Sequence, residues 1–382
     1  MVFAVVTGGG TSGHVIPAIA VIEALEDAGI APSQLRYVGA KRGIETRLMR
    51  DVDVEAQFLP ISGLQRSLAP RHIWANLMLP WRLLRSTFLA RALMKSWKPQ
   101  VVVSLGGYAS EPMARAAKSA GVPLVCVSYD RTPGLATKRQ QRYATSCAVA
   151  FADSPLRKAV HTGAPVRRSI RTLNRNTFRD TELSNFALLP ESRVVTIVGG
   201  SLGSAVLNDS AQSIVDGIVE SNMSNVVVIH ICGERFMSTP EPRITGAVTY
   251  KRFGYTDQMD SIYALTDVLV CRAGASTVAE IATLGLCSVV IPWKDAADNH
   301  QELNARWLAN ANAAVMLTES QCTGTALADT VVELLHDESR RTEIQRAAYD
   351  LGRLHRSNAL VDLITSVAKN DLRSGTTKDS LL

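Results

Sequence analysis

Three glycine-rich segments stand out because each follows a short apolar run and precedes a helical pattern. They are Gly8-Gly9-Gly10-Thr11-Ser12-Gly13-His14, Gly106-Gly107-Tyr108 and Gly199-Gly200-Ser201-Leu202-Gly203-Ser204. Glycine lets the backbone turn sharply and bring its N–H groups close to an anion, and a helix N-terminus adds about half a positive charge. We therefore expect phosphate groups to bind here, although the first segment alone also fits a tight strand-to-helix turn.

The first segment matches neither of the common nucleotide-binding motifs. The pattern G-x-x-x-x-G-K-[ST] is absent from it, which excludes a Walker P-loop. Gly8, Gly10 and Gly13 can be placed on G-x-G-x-x-G, but residues 37–40 hold no acidic residue to bind a dinucleotide ribose. The sequence therefore favours a phosphate or diphosphate site over a dinucleotide site.

His14 ends the first segment, at the start of the next helical pattern. A helix N-terminus lowers the pKa of a histidine because it opposes the positive charge. A neutral imidazole at this place could accept a proton in a reaction. A histidine that only caps the helix or makes a hydrogen bond is the alternative.

The elements that must position these segments are short apolar runs separated by longer mixed stretches. Runs that are short and mostly β-branched indicate buried strands, and the stretches between them indicate helices. The predicted strands are Phe3–Val6, Leu35–Val38, Val101–Leu105, Leu124–Val127, Cys147–Ala150, Val194–Val198, Val226–Ile231, Val248–Lys251, Val268–Cys271 and Ser288–Pro292. The predicted helices are Pro17–Ala28, Pro112–Ala120, Asn208–Glu220 and Val278–Leu284. Pro17 is expected near a first turn, where its missing N–H costs nothing.

This order of elements occurs twice, separated by a polar stretch at residues 170–190 that suits a linker or a variable entry to the second half. Strands that alternate with helices form parallel sheets. We predict an α/β protein with two facing Rossmann-like domains and a central cleft, at residues 1–165 and 166–351. A helix near 352–370 is expected to pack back on the first domain, and the polar residues 371–382 to form a disordered tail.

Composition excludes several classes of protein. The 382 residues are 46% hydrophobic and 20% charged, which predicts two or three folded domains rather than a disordered chain. No apolar run is long enough for a transmembrane helix, and the start of the chain does not resemble a signal peptide. Six scattered cysteines without a CxxC motif indicate reduced, mostly buried thiols in a cytosolic protein.

The charge is distributed unevenly. Residues 1–165 hold 20 Lys and Arg against 10 Asp and Glu, whereas the remainder holds 21 against 25, so the two parts carry +10 and −4. Residues 56–110 contain no acidic residue at all. This predicts an anionic partner for the first part: phospholipid, a phosphorylated substrate or nucleic acid. Nucleic acid is the least favoured, because no nucleic-acid motif is present.

Short motifs in a consistent order give the sequence a family resemblance. They are TGGGTSGHVIPAIAV at the start, Arg42-Gly43-Ile44-Glu45, Gly106-Gly107-Tyr108, Pro133-Gly134-Leu135-Ala136, RAGASTVAE at 272–280 and His300-Gln301 with Asn304-Ala305. With them the chain resembles the MurG family, peptidoglycan N-acetylglucosaminyltransferases with the GT-B fold of the family 28 type.

The resemblance implies a metal-independent, inverting transferase without a cofactor. It would move N-acetylglucosamine from UDP-GlcNAc to the muramyl 4-hydroxyl of lipid I, the undecaprenyl-diphosphate-MurNAc-pentapeptide, to give lipid II and UDP. Loop N–H groups and helix N-termini would stabilise the charge on the departing UDP. Such an enzyme serves peptidoglycan synthesis, cell shape and cell division, so cell-wall or division proteins are further candidate partners.

The resemblance also assigns residues to the two substrates. Glu280 would hold the ribose hydroxyls; without the resemblance it also fits a carboxylate at a helix N-terminus. The other donor residues are Arg167 and Ser201 near the uracil or diphosphate, Gln301 and Asn304 near the sugar, and Thr11, Ser12, Gly13, Thr256, Ala275, Ser276 and Thr277. The acceptor diphosphate would contact Gly10, Gly13, Gly106, Gly107 and Tyr108.

A base is needed on the acceptor side, because the hydroxyl must attack the anomeric carbon from the face opposite the leaving UDP. His14 is the predicted base, with Asp130 and Glu111 as alternatives. The family usually has His-Glu-Gln-Asn just before Pro-Gly-Leu, where this chain has Val127-Ser128-Tyr129-Asp130. The identity of the base and the effect of this altered loop on acceptor use stay open at the level of sequence.

Residues 64–97 mix arginines with apolar residues at i, i+3 and i+4 spacing, which is typical of a helix in a membrane interface. The predicted membrane contacts are Trp74, Trp81, Arg82, Arg85 and Phe88. Anionic phospholipid of the inner leaflet would attract each nearby basic residue by about 1 kcal/mol. We expect peripheral binding at the cytoplasmic face of the cell membrane, with Pro80 breaking the helix. An ordinary amphipathic helix packed on the sheet fits the same pattern.

Two other classes of function remain alternatives. One is another GT-B enzyme, such as a glycolipid glycosyltransferase or a UDP-GlcNAc 2-epimerase. The other is a divergent, non-catalytic membrane partner that binds a UDP-sugar. The stem peptide of the acceptor and the oligomeric state are not determined by the sequence.

Overall fold

The structure is a computed structural model that describes residues 1–41, 45–63, 74, 76–244, 246, 248–322 and 325–376. It divides into two compact units. Unit 1 comprises Met1–Arg168 and Ser357–Leu382, and unit 2 comprises Ser169–Arg356. Both sheets are parallel, which confirms the predicted α/β class.

The sheet of unit 1 has seven strands among the described residues. They are β1 Ala4–Thr7, β2 Leu35–Ala40, β3 Glu55–Leu59, β4 Val101–Ser104, β5 Leu124–Ser128, β6 Ser146–Val149 and β7 Ala159–His161. Their order is β3-β2-β1-β4-β5-β6-β7, so the order reverses between β1 and β4. The loops after these two strands leave the same edge of the sheet side by side, where open α/β sheets bind ligands.

Helices cover this sheet. They are α1 Ser12–Asp27, α2 Glu45–Leu48, α3 Leu79–Trp97, α4 Glu111–Ala120, α5 Leu135–Gln140 and a C-terminal helix, Ala359–Thr376. The short helix α6, Arg168–Arg171, begins at the last residue before unit 2. The C-terminal helix contacts α1, β4 and β6. Burial of apolar side chains such as Val5, Val102 and Leu124 stabilises the packing of these layers.

Unit 2 repeats this design with a six-stranded sheet among its described residues. Its strands are β8 Arg193–Val198, β9 Val226–Ile231, β10 Val248–Phe253, β11 Val268–Cys271, β12 Ser288–Val290 and β13 Val315–Met316. The order is β10-β9-β8-β11-β12-β13, so it reverses between β8 and β11. Its helices are α7 Arg175–Asn185, α8 Ala205–Asp209, α9 Ala211–Glu220, α10 Met259–Leu265, α11 Ala275–Leu284, α12 His300–Asn310, α13 Ala326–His336 and α14 Glu338–Leu351.

The predicted strands are present, and the three that the sequence did not indicate are edge strands. β3 and β7 flank the first sheet, and β13 ends the second. The residues of β7 are all exposed, and β3 alternates exposed with partly buried residues. An apolar run marks only strands that are buried on both faces, so these edges gave no signal.

The start of α1 differs from the prediction. The helix begins at Ser12, so Pro17 is its sixth residue and lies inside it. The expectation that Pro17 lies near a first turn, where its N–H is not needed, is therefore wrong. In a helix interior proline removes the bond to the carbonyl four residues earlier, here that of Gly13.

The predicted linker at residues 170–190 is also wrong, because it contains α7. Asn174 caps this helix by accepting from the N–H of Thr177. Arg175 donates to the carbonyl of Tyr263 at 3.0 Å, and Arg179 donates to Asp267 Oδ2 at 2.8 Å. Polar contacts with the end of α10, rather than an apolar stripe, dock this helix, so it lacked the apolar period that was sought.

Two further boundaries differ from the prediction. The predicted helix Asn208–Glu220 is interrupted at Ser210, which separates α8 from α9. The predicted disordered tail at 371–382 begins within the C-terminal helix, which runs to Thr376. Residues 377–382 lie outside the described part of the chain.

Candidate active site

The first glycine segment lies between two side chains of unit 1, Glu45 and Tyr108. A Cβ atom on Gly10 would lie 2.3 Å from Tyr108 Cε1, and its φ of +100° also requires glycine. The buried Glu45 accepts from the Gly10 N–H at 2.7 Å and from the Ala40 N–H at 3.3 Å. The N–H predicted to meet the acceptor diphosphate is thus already paired, and its contact with the acceptor stays a prediction.

Glu45 is a site residue that the sequence analysis did not single out. The only signal was its place at the end of the motif 42–45, whose first three residues lie outside the described chain. Burial raises the pKa of Tyr108, and the negative charge of Glu45 raises it further. Glu45 therefore bonds to the backbone of the first glycine segment and acts electrostatically on Tyr108 of the second.

The second glycine segment packs against the first. Gly106 and Gly107 have φ of +78° and +72°, values that favour glycine. A Cβ on Gly107 would lie 2.3 Å from the carbonyl oxygen of Gly9 and 3.3 Å from the Cγ of His14. Both glycines are needed so that the loops after β1 and β4 can approach each other around the histidine.

His14 occupies the first turn of α1 between these loops. Its Nδ1 lies 3.1 Å from Thr11 Oγ1, and its ring meets Tyr129 edge-on at 6.4 Å between centroids. Burial lowers the pKa of His14, and the charge of Asp130 opposes that change. The imidazole is thus biased toward its neutral form, as a general base requires. The main physical cause is the loss of water around the buried imidazole, rather than the helix N-terminus from which this shift was predicted.

The other two candidate bases are placed differently. Asp130 follows β5 and is close enough to affect the pKa of His14. Glu111 forms an ion pair with Arg115 at 2.8 Å and accepts from Gln140 Nε2 at 3.1 Å. Gln140 in turn accepts from Ser104, which precedes the second glycine segment. We interpret Glu111 as part of a network that supports this segment.

The third glycine segment lies at the reversal of strand order in unit 2. A Cβ on Gly203 would lie 2.0 Å from the carbonyl oxygen of Cys232, so the turn is closely packed. Ser204 caps α8 and accepts from Arg272 Nε at 3.0 Å. Arg272 also pairs with Glu319 at 2.7 Å. Arg272 thereby connects the loops after β8 and β11, and the exposed Ser201 belongs to the first of these loops.

Glu280 is the sixth residue of α11, because this helix begins at Ala275. The alternative that it is a first-turn helix carboxylate is therefore wrong. The buried hydroxyl of Tyr263 donates to Glu280 Oε2 at 2.8 Å. Burial and the charge of Glu280 raise the pKa of Tyr263, so its hydroxyl keeps its proton. This bond fixes the orientation of the carboxylate.

The remaining predicted donor residues of unit 2 follow the carboxyl ends of its strands. Ala275, Ser276 and Thr277 form the first turn of α11, which has no side-chain cap. Thr256 Oγ1, after β10, accepts from the N–H of Gln258 at 3.0 Å. These positions suit an anionic ligand, because first-turn N–H groups have no partner within the helix.

Gln301 and Asn304 support the loops of unit 2. Gln301 Oε1 accepts from the Trp293 N–H at 3.0 Å. The fully buried Asn304 donates to the Ala273 carbonyl at 3.2 Å. In the structure both side chains form hydrogen bonds with backbone groups. Their predicted contacts with the sugar stay predictions.

Four of the predicted donor residues belong to unit 1. Thr11, Ser12 and Gly13 lie at the start of α1. Arg167, expected in the second domain, donates from Nε to Glu23 Oε1 at 2.9 Å. The structure groups Arg167 with α1, and its contact with the donor stays a prediction.

Helix α3 carries apolar side chains on the side that faces away from its unit. Its buried side holds the small residues Ser86, Thr87 and Ala90 together with Met94. The exposed large side chains on and before it are Trp74, Leu77, Met78, Trp81, Leu84, Phe88 and Leu89. We call these seven residues the apolar face. A helix that packed only on its own unit would bury such residues, so their exposure favours the membrane expectation, which stays a prediction.

Basic side chains flank the apolar face. Arg85 is exposed, Arg82 donates to Ser62 Oγ at 2.9 Å, and the Arg91 guanidinium lies 5.8 Å from the Phe88 ring centroid. Pro80 lies in the first turn of α3, so a helix boundary occurs where the proline predicted one. Residues 64–73, the start of the predicted interfacial stretch, lie outside the described residues.

Neither a membrane-spanning helix nor a metal-binding cluster occurs among the described residues. Every helix there is too short or too polar to cross a lipid bilayer. The same residues contain no group of three or more His, Cys, Asp or Glu side chains that could hold a metal ion. All six cysteines are buried and unpaired, as the sequence indicated.

Comparison with protein families gives two matches. The glycosyltransferase family 28 N-terminal domain matches residues 4–149, and the glycosyltransferase family 28 C-terminal domain matches residues 194–362. The UDP-N-acetylglucosamine–N-acetylmuramyl-(pentapeptide) pyrophosphoryl-undecaprenol N-acetylglucosamine transferase of Streptomyces coelicolor is 33% identical over 362 residues. The match covers 94% of this chain and 96% of that protein.

Solved structures give the same result for the fold. The crystal structure of MurG from Acinetobacter baumannii matches with a TM-score of 0.68 and 25% identity, over 96% of this chain and 99% of that one. UDP-GlcNAc 2-epimerase from Neisseria meningitidis, bound to UDP-GlcNAc, matches with a TM-score of 0.66 and 12% identity, over 96% and 99%. At that identity the second match concerns the fold alone. Together they confirm the predicted GT-B fold.

Proposed function

Because this chain belongs to glycosyltransferase family 28, and within it to the MurG family, we propose that it makes lipid II. It transfers N-acetylglucosamine from UDP-GlcNAc to lipid I and releases UDP. The enzyme is a UDP-GlcNAc-dependent N-acetylglucosaminyltransferase of peptidoglycan synthesis.

The observation that carries this proposal is the match to relatives over nearly their whole length. The Streptomyces coelicolor relative, 33% identical, is covered to 96% of its length. The three glycine segments lie after β1, β4 and β8, and each of these strands lies next to a reversal of strand order. Sequence similarity and position in the fold therefore support the same activity.

Unit 2 would bind the donor. Glu280, oriented by Tyr263, accepts hydrogen bonds from the ribose hydroxyls. First-turn N–H groups of α11 and the segment 199–204 stabilise the negative charge that develops on the diphosphate as UDP leaves. Arg272 follows β11 and links these two loops through its hydrogen bond with Ser204.

Unit 1 would bind the acceptor. The neutral imidazole of His14, between the two glycine segments of this unit, takes the proton of the muramyl 4-hydroxyl as that oxygen attacks the anomeric carbon. Attack from the face opposite UDP inverts the anomeric configuration. Each step uses residues of this chain, and no metal ion is required by the proposed roles.

The apolar face would attach unit 1 to the cytoplasmic face of the cell membrane. Its tryptophans and phenylalanine suit the acyl boundary, and the flanking arginines suit anionic lipid headgroups. The lipid-linked acceptor lies in the same membrane. Binding of this kind needs no spanning helix.

Vesicle sedimentation tests the membrane proposal. The variant Phe88→Ser should sediment less than wild type with vesicles of phosphatidylcholine and phosphatidylglycerol, because it removes an exposed apolar side chain from α3. Phe178→Ser is the matched control, since Phe178 is similarly exposed on α7 in unit 2. Equal sedimentation of Phe88→Ser and wild type would contradict the proposal.

UDP release tests the enzymatic proposal and separates it from an epimerase. We expect UDP to appear only when UDP-GlcNAc and a short-chain lipid I analogue are both present. Formation of UDP-ManNAc without any acceptor would instead indicate epimerisation. UDP-GlcNAc binding without either product would indicate a non-catalytic protein.

A further inference from the structure

Proline inside α1 leaves one backbone carbonyl without its usual helical partner. In an α-helix the carbonyl of Gly13 would accept from the N–H of residue 17, but Pro17 has no N–H. The carbonyl of Gly13 belongs to the peptide plane that leads into His14. Whatever holds this carbonyl therefore also sets the direction in which His14 leaves the backbone.

The side chain of Tyr129 supplies the missing donor. Its hydroxyl donates to the Gly13 carbonyl oxygen at 2.6 Å, although the two residues are 116 positions apart. Tyr129 follows β5 directly and is 8% exposed. Burial and the charge of Asp130 raise the pKa of Tyr129, so the hydroxyl stays protonated and keeps donating.

The same tyrosine also contacts the imidazole. Its ring meets the His14 ring edge-on, with an interplanar angle of 68°. Thr11 Oγ1 lies 3.1 Å from His14 Nδ1, and Gly107 is so close to the ring that a Cβ there would lie 3.3 Å from His14 Cγ. In the tautomer in which Nδ1–H donates to Thr11 Oγ1, Nε2 is the nitrogen that can accept a proton.

We propose that Tyr129 is a positioning residue for His14, acting through the Gly13 carbonyl that Pro17 leaves unpaired. This inference rests on the proposed function in that His14 is the base of the transfer reaction. It gives a role to the loop 127–130, which departs from the family pattern. Tyr129 touches neither substrate in this account, and its effect on catalysis passes through His14.

The test uses Tyr129→Phe, which removes the hydroxyl and keeps the ring. Tyr143→Phe is the matched control, because the Tyr143 hydroxyl is buried in the same unit and has no hydrogen-bond partner among the described residues. For Tyr129→Phe we expect kcat to fall about tenfold, the net worth of one hydrogen bond, with an unchanged KM for UDP-GlcNAc. Tyr143→Phe should keep the wild-type kcat.

A second substitution identifies the bond itself. Pro17→Ala gives residue 17 an N–H that can donate to the Gly13 carbonyl. In the double variant Tyr129→Phe with Pro17→Ala, we therefore expect kcat to recover most of its loss. A purely structural loss from Tyr129→Phe would not be reversed by a change in α1 that adds one backbone donor.

A third measurement does not depend on turnover. Nitrogen-15 NMR of the histidine rings in the ligand-free protein reports the tautomer of His14. Wild type should show a single tautomer protonated at one nitrogen, and Tyr129→Phe should show a mixture. If wild type transfers no sugar, the proposed function fails, but this spectrum still tests the position of His14.

Three results would overturn the inference. One is a Tyr129→Phe protein with wild-type kcat and an unchanged His14 spectrum. Another is an equal fall in kcat for Tyr129→Phe and Tyr143→Phe. The third is a double variant with no recovery although its melting temperature equals that of wild type.

Discussion

Acid should destabilise unit 2 through one buried histidine, His230 on β9. Asn208 Nδ2 donates to the Cys232 carbonyl at 3.1 Å, so its Oδ1 faces His230 Nε2, 3.0 Å away. That oxygen can only accept, so Nε2 carries the proton. Nδ1 then accepts from the Tyr250 hydroxyl at 2.6 Å. These bonds require the neutral imidazole.

The magnitude follows from the pKa of His230. Burial, and then the charge of Arg252, lower this pKa from 6.5 to about 4. The unfolded chain binds a proton near pH 6.5, whereas the folded chain binds it only near pH 4. Stability therefore falls as the pH falls between these values, and the loss is complete below the lower one. From about pH 7.5 to about pH 5 the expected loss is about 2 kcal/mol.

Native-state hydrogen exchange of peptides from β8 to β10 measures this loss for unit 2 alone. The comparison is between wild type and His230→Gln, which cannot titrate in this range. Because only the change with pH is compared, a constant loss of stability in the variant cancels. We expect wild type to lose about 2 kcal/mol more than the variant over this interval. Parallel pH dependences of the two proteins would refute the reasoning.

Four further predictions concern the site. Glu280→Ala should raise the KM for UDP-GlcNAc about tenfold or more, because it removes a charged acceptor of the ribose hydroxyls; an unchanged KM would remove that assignment. His14→Ala should lower kcat far more than donor affinity. Asp130→Asn removes the charge that raises the pKa of His14, so the acid side of the kcat–pH profile should move to lower pH; complete loss of turnover would make Asp130 the base. Gly107→Ala should lower the melting temperature more than Gly121→Ala, since both glycines have positive φ but only a Cβ at 107 meets a backbone carbonyl, at 2.3 Å. Equal melting temperatures would contradict that account.

The sequence predicted the parts of the fold that are buried on both faces. Runs such as Val101–Leu105 became inner strands, and glycines after β1, β4 and β8 marked the loops at the reversals of strand order. Both signals are local, because burial and positive φ each restrict the residue types at a position. Local signals were therefore enough for the fold class and for the glycine loops.

Contacts between distant residues could not be predicted in this way. The bonds from Tyr129 to Gly13 and from Gly10 to Glu45 join residues far apart in sequence, and no short pattern marks them. Helix α7 docks through arginines, so it lacked an apolar period. For α3 the apolar pattern was visible in the sequence. Which of its side chains are buried depends on packing against distant residues, which no local pattern shows.

Transfer of labelled sugar to a lipid acceptor is the most direct test of the proposed activity. Radiolabelled N-acetylglucosamine is offered as UDP-GlcNAc with a short-chain lipid I analogue, in the presence of EDTA. We expect label in the lipid product, and about tenfold less label or lower in a parallel reaction with Glu280→Ala at low donor concentration. UDP-GlcNAc that binds wild-type protein while no label reaches the lipid, with or without added divalent metal, would contradict it.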